Sequence, residues 1–144
     1  RGIFIKTFLE NIKNVKTYGK DLLAYLKKRK ISVIIVSNNA EIVIGAICKL
    51  NNMHFDKIVS DEQMKNGEEK YQAILRIMKK NKLKKQEAFY IGDHINDIIQ
   101  ARKAGIKIVS VTTGVYKKKD LIKYNPDFII SNLNKIKEII NKNA

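Results

Sequence analysis

The sequence predicts a three-layer α/β fold, in which helices cover both faces of a mostly parallel sheet. Two observations support this prediction. Short apolar runs rich in β-branched residues alternate with stretches of helical periodicity, which is typical of βα units joined by right-handed crossovers. The apolar runs are also continuous rather than interrupted by polar residues, as in the buried strands of parallel sheets.

Five segments have the composition of strands, and helical stretches separate them. The predicted strands are 31–36, 57–59, 88–91, 107–111 and 128–130. The predicted helices are marked by apolar residues at helical spacing within 22–26, 42–50, 71–78, 95–101 and 133–140. The only proline, Pro126, introduces the last strand, where its missing N–H costs little.

The opening fifteen residues are ambiguous. Residues 2–5 have the composition of a short strand. Helical spacing also relates a set of apolar side chains in this segment, namely Ile5, Phe8, Leu9, Ile12 and Val15. Both interpretations are kept, because each leads to a different view of the function.

Length and composition indicate one cytoplasmic domain. With 144 residues the chain has the size of a single domain, so we expect residues 1–144 to form one. No apolar run approaches the roughly 18 residues that cross a bilayer, and we expect no membrane partner. The one cysteine, Cys48, excludes an internal disulfide and agrees with a reducing cytoplasm. Its apolar neighbours predict a buried, inert thiol.

The chain is strongly basic, with a formal net charge of +15. Such a charge can indicate nucleic acid as a partner. However, 25 of the 29 basic residues are lysines spread along the chain, and their clusters fall at predicted helix ends and loops, where cations complement the helix dipole. Binding of single-stranded nucleic acid would require aromatic residues between the lysines for the bases to stack on, and these clusters contain none. We therefore interpret the charge as solvated surface and do not expect nucleic acid as the partner.

Polar residues follow the first predicted strand. Ser37 places a hydroxyl at the strand end, and Asn38 with Glu41 three residues later forms a capping-box-like pattern for the next helix. The free N–H groups of a helix N-terminus bind phosphate well. An ordinary helix cap explains the same residues, so this signal is weak alone.

Two carboxylates follow the strand 88–91, and they carry the strongest signal. Gly92 and Asp93 end this strand, and Asp97 comes four residues after Asp93. Ligands of open α/β sheets bind outside the carboxyl ends of the strands, and paired carboxylates suit a hard cation such as Mg²⁺. In the plain alternative, Asp93 caps the following helix and Asp97 lies on its solvated face. Lys70, which opens the preceding helix, is the candidate cation for phosphate oxygens.

These pieces together resemble the haloacid dehalogenase (HAD) superfamily of phosphatases, over about residues 15–142. Residues 33–38 look like the hydrophobic strand ending in Ser or Thr that forms the family's second motif. Lys70 stands 23 residues before Asp93, similar to the lysine of the third motif, with Lys65 as the competing candidate. The stretch from Gly92 to Asp97 resembles the acidic fourth motif. Further details resemble the phosphoglycolate-phosphatase-like branch, in segments 55–60, 101–106 and 125–130.

The resemblance implies a Rossmann-like HAD core and an Mg²⁺-dependent phosphatase acting on a small phosphorylated metabolite through an aspartyl-phosphate. It assigns Asp93 to the metal, directly or through water, with Asp97 in support. Ser37 would bind a phosphoryl oxygen, Asn38 would add a backbone N–H, and Lys70 would balance the charge of nucleophile and phosphate.

The family's nucleophile motif, Asp-x-Asp-x-Thr, is missing, because no Asp precedes Asp21. In one explanation the chain is the C-terminal part of a longer enzyme, and residues 1–15 are the end of a cap helix. In the other, residues 2–5 are a degenerate first strand, with Lys6 and Phe8 where the aspartates should stand. That would make the chain an inactive binding module with a basic surface for an anionic partner. We favour the truncated enzyme.

A physical objection limits the first explanation. The nucleophile strand is central to the family's sheet, so its loss would expose two strand edges. A stable fragment would need a replacement strand, either residues 2–5 or one from a partner chain, and oligomerisation would supply the latter.

Overall fold

The computed structural model describes residues 2–5, 18–50 and 52–142. Six strands form one sheet in the order β3-β2-β1-β4-β5-β6, and every neighbouring pair is parallel. The strands are β1 (Gly2–Ile5), β2 (Ser32–Val36), β3 (Lys57–Val59), β4 (Ala88–Gly92), β5 (Lys107–Val111) and β6 (Phe128–Ile130).

Within the described residues, six helices connect or flank these strands. They are α1 (Tyr18–Lys28), α2 (Glu41–Leu50), α3 (Lys70–Lys80), α4 (Ile95–Ala104), α5 (Lys118–Leu121) and α6 (Ile136–Lys142). Short 3₁₀ turns occur at Asp61–Gln63, Lys85–Glu87, Ile122–Tyr124 and Leu133–Lys135. All five predicted strands are present with ends within one residue, whereas the one-turn helix α5 was not predicted. None of the helices in the described ranges is long and apolar enough to cross a bilayer.

Alternate side chains of each strand point to opposite faces of the sheet. Since the strands are largely apolar, both faces must be buried, and helices cover both. On one face, Ile34 and Val36 of β2 share a buried cluster with α3 and α4. On the other face, Val33 lies with α1 and α6, and Ile35 packs against α2. The predicted three-layer architecture is therefore confirmed. Cys48 is buried in the α2 cluster, as expected, and burial raises the pKa of its thiol.

The ambiguous segment at the chain start forms the central strand. Gly2 is paired with Ser32 of β2 on one side and with Ala88 of β4 on the other. Without β1, the edges of β2 and β4 would lose their hydrogen-bond partners, which is the physical reason for this placement. Residues 2–5 are thus a strand rather than helix. The remaining residues of the proposed cap helix, Phe8, Leu9, Ile12 and Val15, lie outside the described residues.

Candidate active site

The β4–α4 corner joins the end of β4 to the first turn of α4. His94 is the N-cap of α4, and its Nδ1 accepts a hydrogen bond from the Asn96 backbone N–H at 3.0 Å. The Asp97 Oδ2 atom accepts one from the His94 N–H at 3.0 Å, so these two residues form a capping box. The plain alternative is wrong on both points: Asp93 does not cap the helix, and the Asp97 side chain has no solvent exposure.

Buried partners surround the Asp97 carboxylate. The Tyr90 hydroxyl donates to its Oδ1 at 3.0 Å, and the Lys70 Nζ lies 4.0 Å from the same oxygen. Lys70 is only 6% exposed. Charges removed from water are stable only when they are paired and hydrogen-bonded, so this carboxylate and this ammonium depend on each other. Lys65, the competing lysine, is exposed, and its backbone N–H donates to Glu68.

The sequence did not predict a polar role for Tyr90, since a tyrosine inside an apolar strand is expected to be an ordinary core residue. Its ring lies in the cluster under α3 and α4 with no solvent exposure. Burial is the main cause that raises the pKa of Tyr90 well above its usual value, and the nearby charges of Asp97 and Asp93 add to it. The phenol therefore stays protonated and remains a hydrogen-bond donor.

Two glycines allow backbone to approach the carboxylates closely. A Cβ atom on Gly92 would lie 2.6 Å from both Cβ and Cγ of Asp97. A Cβ atom on Gly114, in the loop after β5, would lie 2.6 Å from Cβ of Asp93. Real Cβ atoms do not come so close to another carbon, so both positions require glycine in this arrangement. Gly92 was identified from the sequence, whereas Gly114 was not.

The loop after β5 forms a wall beside Asp93. Gly114 of this loop contacts the Asp93 side chain. The Tyr116 ring meets the His94 ring edge-on, with centroids 4.8 Å apart. Asp93 itself is half-buried. The sequence signal for this wall was a Thr-Thr-Gly segment directly after a strand, which points to a turn at the same edge of the sheet.

The β2–α2 corner joins the end of β2 to the start of α2. Ser37 is buried; its N–H donates to the Val59 carbonyl oxygen at 2.9 Å, and its Oγ accepts from the Asn39 N–H at 3.0 Å. The predicted capping box is wrong, because α2 begins only at Glu41 and Asn38 is exposed. The Glu62 carboxylate accepts from the Glu41 N–H instead, at 2.9 Å.

The two corners lie at the same edge of the sheet. Ile5 of β1 is level with Ile35 and with Ile91, so Ser37 and Asp93 each follow two residues beyond these partners. Only β1 separates their strands, which puts the axes of β2 and β4 about 10 Å apart. The structure thus brings Ser37, Asp93, Asp97 and Lys70 to one edge of the sheet, and their roles in a common site stay a prediction.

The donor set at this edge fits Mg²⁺. Proteins usually hold this ion by one or two carboxylates, with water and substrate phosphate completing the octahedron. Asp93 is a half-buried residue, whereas both oxygens of the fully buried Asp97 accept hydrogen bonds from protein donors. Within the described ranges, no three His, Cys, Asp or Glu side chains come together as a metal cluster. Asp93 is therefore the candidate direct ligand, and Asp97 is a candidate for a supporting role.

Comparison with known proteins identifies the family. The family model described as "Haloacid dehalogenase-like hydrolase" matches residues 3–111. A relative named "Putative pyrophosphatase PpaX" in Caldanaerobacter subterraneus is 28% identical over 84% of this chain and 56% of its own length. Phosphoglycolate phosphatase 1 of Pseudomonas aeruginosa is 24% identical over 78% of this chain and 42% of its own length. This chain therefore spans about half the length of these curated relatives.

A solved structure shares the fold. The crystal structure of a predicted phosphoglycolate phosphatase from Haemophilus somnus superposes with a TM-score of 0.78 and 21% identity, over 91% of this chain and 60% of that chain. Together with the family model, these similarities confirm the resemblance seen in the sequence. The chain belongs to the haloacid dehalogenase-like hydrolase family, in the branch that resembles phosphoglycolate phosphatases.

Proposed function

We propose that residues 1–144 are the core domain of a cytoplasmic, Mg²⁺-dependent phosphatase that hydrolyses a small phosphomonoester through an aspartyl-phosphate. One observation carries the proposal: the buried Lys70–Asp97 pair lies at the same edge of the sheet as Asp93, which follows β4, and Ser37, which follows β2. The names of the relatives, which are phosphatases and pyrophosphatases, support the same reaction class.

Each of these residues has a role in binding the phosphate. Lys70 supplies a positive charge near the phosphoryl oxygens, and Asp97 holds that charge in place. The Ser37 hydroxyl accepts from Asn39 and retains its own proton to donate to a phosphoryl oxygen. The Asn38 backbone N–H adds a second donor. Electrostatics and positioning of this kind dominate catalysis of phosphoryl transfer.

Asp93 would hold Mg²⁺, directly or through water. When bound, the ion neutralises negative charge on the phosphate and aligns it. Gly114 and the Tyr116–His94 contact fix the wall on which Asp93 rests. The carboxylate is thereby held at the sheet edge before substrate arrives.

The covalent step needs an aspartate that this sequence lacks. A carboxylate oxygen would attack phosphorus, forming a new O–P bond while the ester P–O bond breaks, and a second aspartate would give its proton to the leaving oxygen. Water would then attack phosphorus and give a proton back to the second aspartate, while the aspartyl O–P bond breaks to release phosphate and the free carboxylate. In this proposal the two aspartates belong to an Asp-x-Asp-x-Thr segment of a longer protein, and the strand before that segment would take the central place that residues 2–5 fill in this chain.

Phosphate binding tests the proposal without the nucleophile. We expect inorganic phosphate to bind the chain in an Mg²⁺-dependent manner in calorimetric titration, and Lys70→Met to weaken that binding at least tenfold. Lys65→Met is the matched control, since its side chain is exposed, and we expect no change for it. A folded chain that binds no phosphate with or without Mg²⁺ would overturn the proposal.

A second function, an inactive binding module, has one observation in its favour. β1 fills the central position of the sheet, and the residues that follow it in sequence are Lys6 and Phe8 rather than aspartates. Titration with labelled nucleic acid at several salt concentrations tests its electrostatic form, which requires a steep loss of affinity with salt. The coding sequence upstream of Arg1 separates the two functions: an Asp-x-Asp-x-Thr strand there supports the enzyme, and a start codon at Arg1 supports the module.

A further inference from the structure

The side chain of Tyr90 joins the hydrophobic core to the candidate active site. Its ring is fully buried among side chains of α3, α4 and β5, including Ile74, Ile98 and Ile108. A hydroxyl in such surroundings is destabilising unless it is hydrogen-bonded. It donates to the Asp97 Oδ1 atom at 3.0 Å, so the core itself supports the orientation of this carboxylate.

Three elements meet at the Asp97 carboxylate. The Tyr90 hydroxyl from β4 donates to Oδ1, and the His94 N–H at the start of α4 donates to Oδ2. The Lys70 Nζ, from the first residue of α3, lies 4.0 Å from Oδ1. The two hydrogen-bond donors therefore fix the orientation of the Asp97 carboxylate. The Lys70 ammonium lies near Oδ1, the oxygen that accepts from Tyr90.

The donor role of Tyr90 does not change with conditions near neutral pH. Burial holds the pKa of its phenol well above the usual range. The phenol therefore keeps the proton that it donates to the Asp97 Oδ1 atom.

We propose that Tyr90 is a positioning residue of the candidate site, whose hydroxyl orients Asp97 and thereby places the Lys70 ammonium at the phosphate position. This inference rests on the proposed function. Because Tyr90 itself does not touch phosphate, the inference predicts that its hydroxyl affects phosphate binding only through Lys70. A purely structural role in the core would instead act independently of Lys70.

A double-mutant cycle distinguishes these roles. We expect Tyr90→Phe to weaken Mg²⁺-dependent phosphate binding roughly fivefold or more, in line with the loss of a hydrogen bond to a charged group. In the Lys70→Met background, the same change should alter the remaining affinity by less than about twofold. Independent, multiplicative effects of the two substitutions would overturn the inference while leaving the proposed function standing.

Tyr71→Phe is the matched control. Tyr71 follows Lys70 on α3, packs against the same core cluster, and is half-buried. The same hydroxyl deletion there leaves the Asp97 contacts intact. We expect phosphate affinity to stay within about twofold of the unsubstituted chain, and an equal loss in both variants would contradict a specific role of Tyr90.

A second measurement does not depend on phosphate. In a chain with isotope-labelled lysines, we expect Tyr90→Phe to shift the NMR signals of the Lys70 ε-methylene group, and Tyr71→Phe to leave them in place. Lys70→Arg identifies the signals. If phosphate does not bind but the signals shift as expected, the proposed function fails and the positioning contact stands. Unshifted Lys70 signals in a folded Tyr90→Phe variant would overturn the inference.

Discussion

The β4–α4 corner and the β2–α2 corner lie at the same edge of the sheet but satisfy their polar groups differently. At the β4–α4 corner, the carboxylate of Asp97 turns inward and is fully buried between Tyr90, His94 and Lys70. At the β2–α2 corner, the helix begins later, and its first N–H is capped by the exposed Glu62. The carboxylate at the β4–α4 corner is part of the core, whereas the cap at the β2–α2 corner comes from a side chain on the surface.

This difference indicates which corner tolerates change. A buried charge that loses its partner is strongly destabilising, whereas an exposed hydrogen bond can be replaced by water. We therefore expect substitutions in the β4–α4 corner to affect folding and ligand binding together. Substitution of the exposed Glu62, whose carboxylate caps α2 at the β2–α2 corner, should have a much smaller effect on stability.

Asp97→Asn should have the largest effect. It removes the buried negative charge 4.0 Å from the Lys70 ammonium, and loss of one member of a buried ion pair typically costs about 3–5 kcal/mol. Urea unfolding measures this loss. Asp127→Asn is the control, because its partner Arg102 is 47% exposed and an amide oxygen can still accept from the Ile108 N–H; ion pairs of this kind contribute below about 1 kcal/mol. Equal losses in the two variants would contradict the contrast between buried and exposed sites.

Gly92→Ala should come next. The new methyl group would overlap the Asp97 side chain, and overpacking of this kind costs about 1–3 kcal/mol. The control is Gly45→Ala in α2, where a Cβ meets nothing within 4 Å and a better helix former should stabilise by about 0.5–1 kcal/mol. We expect urea unfolding to show a lower free energy of unfolding for Gly92→Ala and a higher one for Gly45→Ala. Destabilisation by both would show that the space around Gly92 is not the cause.

Gly114→Ala should lower the affinity for Mg²⁺ more than it lowers the stability of the fold. Its methyl group would displace Asp93, and disturbing a group that supports a metal ligand typically costs about tenfold in affinity. Calorimetric titration with MgCl₂ measures it, with Gly45→Ala again as the control. Unchanged Mg²⁺ affinity, in a variant that folds, would remove Asp93 from the proposed metal site.

Glu62→Gln should have the smallest effect, and it should depend on pH. Hydrogen bonds from the backbone N–H groups of Glu62 and Glu41 hold the pKa of the Glu62 carboxyl below its usual value. A carboxyl with a lowered pKa in the folded state stabilises at neutral pH, and this contribution is lost as pH falls through that value. We expect a slightly lower Tm for Glu62→Gln at pH 7, and the same Tm as the unsubstituted chain in acid. A gap that widens in acid would contradict this sign.

The sequence predicted the strands well because each is a continuous apolar run, and burial on both faces requires that composition. It placed Ser37 and Asp93 at one edge because the carboxyl ends of parallel strands share one edge, and the roles of these two residues, Lys70 and Asp97 stay a prediction. It did not predict how their side chains are satisfied. The Asn38–Glu41 cap was wrong because Glu62, distant in sequence, competes for the same N–H. Gly114 and Tyr116 were missed because their partners, Asp93 and His94, lie on another strand connection.

Local patterns in the chain therefore determined the fold class, the order of the elements and the edge that carries the polar residues, since hydrophobic periodicity and motif spacing are properties of neighbouring residues. Only the tertiary structure decided that residues 2–5 form the central strand, that Asp97 is buried, and that Tyr90 supports it. These features depend on strand pairing and on burial, which arise from residues far apart in the chain and become definite only when the sheet and its two helical layers are packed together.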